Sequence, residues 1–241
     1  MTHTEKKTAI IVGVLFLTAM VASLLGAGLI ESVLNTPDFL MNVFPNKSLV
    51  VSGVLLELIN GMAVVGIAVM MFPLFKKYSE ALALGYVSFR IIEAVIAIAA
   101  VISPLTLIAL SQEYLTAGEA AAPFLQTLGT AFIAARALLV GQLLGIFFSL
   151  GALLFYYLLY RSKLVPRFIS IWGLIAVALV FSWNLLEIFG IQVSFGIILG
   201  LPIILNEIFL GIWLIFKGFN LPQITAKLAE PDINEAQMSV S

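Results

Sequence analysis

The segment 168–189, FISIWGLIAVALVFSWNLLEIF, runs for 22 residues with one charged side chain, Glu187, and follows the basic loop RSKLVPR at 161–167. A helix rises about 1.5 Å per residue, so a run of this length covers the roughly 30 Å hydrocarbon core of a bilayer. Its apolar residues do not alternate with polar ones, which excludes a barrel strand. Five further stretches share this character, at 8–30, 49–75, 81–110, 128–160 and 195–216. The expected fold is therefore an all-α membrane protein, a six-helix transmembrane bundle. The third and fourth stretches are longer than the core is thick and are expected to tilt, bend or project beyond it. Pro104 is the expected bend in the third, because it has no amide hydrogen to donate to Ala100.

Composition agrees with this reading and narrows the chemistry. Of 241 residues 62% are hydrophobic and 10% charged, whereas soluble domains are roughly half apolar and about a quarter charged. A mean hydropathy of +1.14 over the whole chain excludes a soluble domain on a single anchor. A net charge of -1 offers no basic field for nucleic acid. There is no cysteine, so disulfides, thiolate metal sites and cysteine nucleophiles are excluded. The single histidine, His3, falls in the polar tail 1–7, which excludes histidine-ligated haem or metal and a Ser-His pair inside the membrane. No cofactor and no metal are expected. No Gly-rich phosphate loop, Gly-x-Ser-x-Gly elbow or intramembrane Asp occurs, so those three chemistries have no residues to carry them.

Positive charges orient the bundle. Lys6, Lys7, Lys76, Lys77, Arg161, Lys163, Arg167, Lys217 and Lys227 fall on one side and only Lys47 on the other, which places both termini in the cytoplasm. An even number of crossings is then required, as the six segments provide. Tyr78, Tyr156, Tyr157 and Tyr160 fit an aromatic belt at the inner interface. The domain order is a cytoplasmic tail at 1–7, one polytopic domain at 8–220 and a flexible cytoplasmic tail at 221–241. The first span, although Gly26, Ala27 and Gly28 near its end offer small residues for a cleavage site, is too long for a cleaved signal and is expected to remain. The outer loop 111–127, with Glu113, Glu119 and Pro123, is expected to carry a short interfacial helix. Basic hairpins at 75–77 and 160–163 are alike at a shift of 85 residues, too generic a likeness to establish duplication.

Six ionisable residues lie within the spans: Glu57, Arg90, Glu93, Arg136, Glu187 and Glu207. Each costs about 2.5–3.5 kcal/mol on insertion scales, so each calls for a partner or a wet cavity. Asn60, Asn184 and Asn206 accompany three of the acids, and Gln142 follows Arg136 by six residues. Arg90 and Glu93 share a helix face and are expected to pair. Four Glu against two Arg leaves a deficit of two positive charges, to be met by protonation or by a bound cation. Pro202, one turn before Glu207, frees the carbonyl of Ile198 and favours a kink beside that acid. Small residues at Ala137, Gly141, Gly145 and Ser149, and at Gly196 and Gly200, read as close helix packing.

The sequences LLELIN at 55–60 with FPLF at 72–75, ALGY at 83–86 with RIIE at 90–93, and YYLLYRSKLVPR at 156–167 with Trp172 and Gly173 occur in that order. Leu201 and Pro202 then lead through Asn206 and Glu207 to Trp213 and Leu214. Together they resemble the bacterial integral-membrane family known as domain of unknown function 4386. The resemblance covers about 8–220 and implies a multi-pass protein of the bacterial plasma membrane. It supplies no activity, substrate or catalytic residue.

The function expected from the residues is binding or transport of a small solute or ion through an intramembrane polar cavity. Its candidate lining is Glu57, Asn60, Arg90, Glu93, Arg136, Glu187, Asn206 and Glu207. The functional site is expected in the outer half of the bundle, formed by Glu57, Asn60, Arg136 and Glu187 with Glu207 as its floor. The partners are the lipid bilayer and a small solute or cation. The alternative is a membrane interaction or sensory protein whose buried ion pairs are purely structural. An enzyme using Glu57 or Glu207 as general acid or base is disfavoured without a buried His, Cys or Asp. The topology is tested by reporter fusions at Ser241 and within 111–127: the first should read cytoplasmic and the second periplasmic, and a periplasmic C-terminus would refute it.

Overall fold

Backbone amides in hydrocarbon must bond to one another, and every apolar run in the chain forms helix accordingly. A computed structural model describes residues 3–116, 121–191, 193 and 196–220, and the expected tail 221–241 lies outside them. The elements are α1 (His3–Leu34), α2 (Phe39–Asn42), α3 (Lys47–Lys76), α4 (Glu80–Ala100), α5 (Ile102–Thr116) and α6 (Ala122–Ala137). A π-helical segment (Leu138–Leu144) follows, then α7 (Gly145–Ser162), α8 (Arg167–Ile188) and α9 (Gly196–Phe216). Six helical spans among the described residues are long and apolar enough to cross a membrane: Glu5–Leu34, Lys47–Lys76, Glu80–Thr116, Ala122–Ser162, Arg167–Ile188 and Ile198–Phe216.

The helices run further than the apolar segments, because hydropathy marks the hydrocarbon core and not the end of the helix. α1 begins at His3 instead of emerging from a tail at residue 8, helped by Glu5 in its first turn, where a carboxylate suits the positive end of the helix dipole. In the loop 111–127 no separate interfacial helix forms among the described residues. α5 extends to Thr116, and α6 starts at Ala122 with Pro123 in its first turn, where proline's missing amide costs nothing. The third span breaks at Val101, between α4 and α5, three residues before Pro104.

Six helices close a ring in which α1 packs on α3, α3 on α4, α4 on α7, α7 on α8, α8 on α9 and α9 back on α1. The pair α5 and α6 packs together, with α2 against α5, at the end of the bundle that carries Lys47. Two apolar clusters result. One, toward the basic end, gathers Phe75, Tyr86, Phe155 and Tyr156 among its fully buried residues, with Phe155 within 5.2–5.6 Å of the other three rings. The other, toward the opposite end, joins Ile30, Val43, Val50, Val101 and Leu107. The polar side chains lie largely between the two.

Close approach is permitted by glycine at particular crossings. A Cβ on Gly13 would lie 2.6 Å from the carbonyl of Gly211, and one on Gly53 would lie 2.8 Å from that of Gly26. Of the small-residue stripe, Gly145 packs on the Asn184 side chain and Gly196 on the Trp183 indole, whereas Gly141 meets nothing within 4 Å. At the basic end, Tyr78 donates to the carbonyl of Ser162 at 3.3 Å. Burial pushes its phenol above the ordinary value, which keeps the proton on the donor. The amide of Asn220 donates to the Leu164 carbonyl at 2.7 Å and holds the residues just after α9 against the α7–α8 turn.

Gly13→Val should separate α1 from α9 and destabilise the bundle by about 1–3 kcal/mol, the usual cost of overpacking. Gly28→Ala, where a Cβ meets nothing within 4 Å, should be neutral or slightly stabilising, since alanine is the better helix former. Melting temperatures of the two variants in one detergent check the contrast, and equal values would contradict the ring closure.

Candidate functional site

The six intramembrane ionisable residues separate into three groups. Arg136, on the last turn of α6, donates from Nη2 to Glu57 Oε1 at 2.5 Å and from Nη1 to Glu57 Oε2 at 3.2 Å. This is the bidentate fork that guanidinium and carboxylate favour. Nη1 also donates to the carbonyl of Ala100 at 3.2 Å. That carbonyl is the one Pro104 cannot engage, so Arg136 supplies the hydrogen bond that the proline removes. Both side chains are nearly enclosed, 8% and 12% exposed. The junction thereby satisfies its own charges and hydrogen bonds.

The second group lies on α4 and opens on a cavity. Arg90 Nη1 donates to Glu93 Oε2 at 2.8 Å, with side chains 5% and 7% exposed. The guanidinium carbon lies 5.7 Å from the Tyr86 ring centroid and 5.2 Å from that of Phe148, an arrangement in which π faces offset part of the lost hydration. The Arg90–Glu93 pair lines a cavity of about 230 Å³ whose other polar walls are Ser23 of α1, Asn60 of α3 and Glu207 of α9. Glu207 lies within electrostatic range of both Arg90 and Glu93, yet forms no ion pair among the described residues. The remaining wall is apolar and includes Phe16, Met20, Val64, Phe148 and Ile203.

The third group does not face this cavity. Glu187, near the end of α8, accepts from Trp183 Nε1 at 2.7 Å. Asn206 is wholly buried and donates to the Ile169 carbonyl of α8 at 3.0 Å, which ties α9 to α8. Asn184 donates to the Val180 carbonyl within its own helix. Of the expected lining, the structure thus places Asn60, Arg90, Glu93 and Glu207 around one cavity. Glu57 with Arg136, Glu187 and Asn206 stand elsewhere, so the outer grouping of Glu57, Asn60, Arg136 and Glu187 over Glu207 does not assemble. The expected outer grouping does contain the Glu57–Arg136 contact, but a position in the outer half carries no information on which helix face each residue occupies.

Sequence reading passed over Ser23, Leu144 and Phe148, and it assigned Tyr156 to the interfacial belt although it is fully buried. One signal was available. Phe16, Ala19, Met20, Ser23 and Leu24 follow the spacing of a single helix face, and all five line the cavity.

Removing one partner of a buried pair leaves an uncompensated charge and costs about 3–5 kcal/mol. Arg90→Ala should therefore unfold at a much lower temperature or denaturant concentration than Lys77→Ala, since Lys77 is exposed and typical surface changes stay within about 0.5 kcal/mol. Equal stabilities would contradict the pairing.

No curated protein and no solved structure matches the chain. A family model described as Domain of unknown function (DUF4386) matches residues 11–218, nearly the whole helical bundle and every residue of the cavity. The ring of spans and the polar layer within it are thus those of a member of this family, and the chain belongs to it.

Proposed function

We propose that the protein binds, and carries across the membrane, a small solute or ion by way of the cavity between α1, α3, α4, α7 and α9. The observation that supports this is Glu207, an acid facing a cavity of about 230 Å³ with no hydrogen-bond or ion-pair partner among the described residues. A charge buried only for packing is ordinarily paired, as Glu57 and Glu93 are here. An acid left facing a cavity is positioned to meet something that enters it. The membrane is taken as a bacterial plasma membrane from the family resemblance, with the basic end of the bundle in the cytoplasm from its lysines and arginines.

The Glu57–Arg136 junction favours the structural reading for that part of the molecule alone, since its hydrogen bonds are satisfied internally. Reconstituted protein screened against ions and small solutes by thermal shift tests the proposal. At least one class should raise the melting temperature in a concentration-dependent way through preferential binding to the folded state. Glu207→Gln should abolish the shift, whereas Glu187→Gln, outside the cavity, should leave it. If no ligand shifts the wild-type protein, the buried charges serve structure only.

A further inference from the structure

We propose that the ligand of this cavity is an organic monocation, a protonated amine bearing one ring or an apolar body of similar size. This rests on the cavity being a solute site, as argued above, and adds its chemical class.

Charge selects the sign. Arg90 is paired with Glu93 at 2.8 Å and has Tyr86 and Phe148 beside its guanidinium, so the pair adds no net positive charge to draw an anion. Glu207 would also repel an anion at short range. One carboxylate is left over, and it matches one positive charge.

The wall selects an organic cation over an inorganic one. A hard metal ion needs about six or more oxygen ligands to replace its hydration shell. Beyond the Arg90–Glu93 pair the cavity presents Glu207, Asn60 and Ser23, and the rest of its wall is aliphatic or aromatic. No group of three His, Cys, Asp or Glu residues able to hold a metal occurs among the described residues. An ammonium needs only two or three acceptors, and the body attached to it can be stripped of water against Phe16, Met20, Val64 and Ile203 with a gain of about 25 cal/mol per Å² buried.

Size and axis agree. A dry apolar cavity of about 150 Å³ accepts benzene, so about 230 Å³ accommodates a ring and a short arm. Counted at about 1.5 Å per residue from Lys7 in α1 and from the basic ends of α3, α4 and α9, Phe16, Ile67, Arg90 and Glu207 lie about 15 Å deep and Ser23 and Asn60 about 25 Å deep. The carboxylate therefore sits at one end of the cavity and two neutral hydrogen-bonding groups at the other, with apolar wall between. That order suits a molecule with its ammonium toward the basic end.

The full chain in nanodiscs, titrated calorimetrically at neutral pH with 2-phenylethylamine, 2-phenylethanol and 3-phenylpropionate, separates the charge classes on one ring size. The amine should bind roughly tenfold or more tighter than the alcohol, the difference one charged hydrogen bond makes, and the acid should bind weakest. Glu207→Gln should bring amine and alcohol to similar affinity, and Glu187→Gln, outside the cavity, should retain the preference. Equal binding of amine and alcohol by the wild-type protein, or preference for the acid or for sodium, potassium or magnesium chloride, would overturn the monocation assignment while leaving a solute site standing. Failure of every probe to bind would overturn the assignment and the solute-site reading together. The wild-type comparison needs no variant and stands even if Glu207→Gln fails to fold.

Discussion

The guanidinium of Arg136 is the point on which the long third and fourth spans depend. Inside a membrane no water compensates a broken backbone bond, and each orphaned carbonyl costs several kcal/mol. The third span carries Pro104, which leaves the Ala100 carbonyl without its helical donor. Arg136 supplies that donor and also donates to both oxygens of Glu57. One side chain from α6 thus ties the break between α4 and α5 to the middle of α3. A lysine could neutralise Glu57 but lacks the planar fork needed to serve both carboxylate oxygens and a carbonyl in a fixed geometry.

The same rule of compensation sorts the other acids. Four Glu against two Arg become two closed pairs, Glu57 with Arg136 and Glu93 with Arg90. Of the two acids that remain, Glu187 stands near a helix end, partly exposed, and takes an indole hydrogen bond. Glu207 stands in the interior on a helix that closes the ring against α1 and α8. Its neighbour Asn206 bonds to Ile169 of α8, so the two successive polar residues serve different sides of α9. Adjacent residues on a helix point about 100° apart, which is why Asn206 fastens the helix while Glu207 faces the cavity.

The spans were readable in the sequence because they depend on hydropathy and length, which one sequence carries in full. Pairing of Arg90 with Glu93 was readable because both residues lie on one turn of one helix. The location of Glu57 beside Arg136 followed from their shared place in the outer half of the bundle. What the sequence could not show was azimuth. Asn60 and Glu57 are three residues apart on α3, yet one lines the cavity and the other turns toward Arg136. Nothing in the composition of α3 says which neighbours each face meets, because with apolar residues on all sides a membrane helix lacks the polar stripe that reveals orientation in a soluble one. Helix ends were missed for a related reason: Glu5, Lys6 and Lys7 are good helix formers that hydropathy discounts.

The π-helical segment 138–144 was also invisible, because an i→i+5 turn has no strong residue signature, but its consequence for the cavity is geometric. In an unbroken α-helix Phe148, twelve residues beyond Arg136, would point about 120° away from it around the axis. One additional residue taken up by the wider turns makes the following side chains lag by about 100°, which returns Phe148 to nearly the same face as Arg136. The fourth span can then use one face for two tasks at different depths. Arg136 reaches Glu57 and the Ala100 carbonyl before the segment, and Leu144 and Phe148 wall the cavity at its end and beyond, with Phe148 set against the Arg90 guanidinium. Without the lag, either the clamp or the cavity wall would turn toward lipid. Pi-helical turns tend to occur where a helix must re-aim side chains at a functional site, and here the re-aimed residues are those that face the cavity.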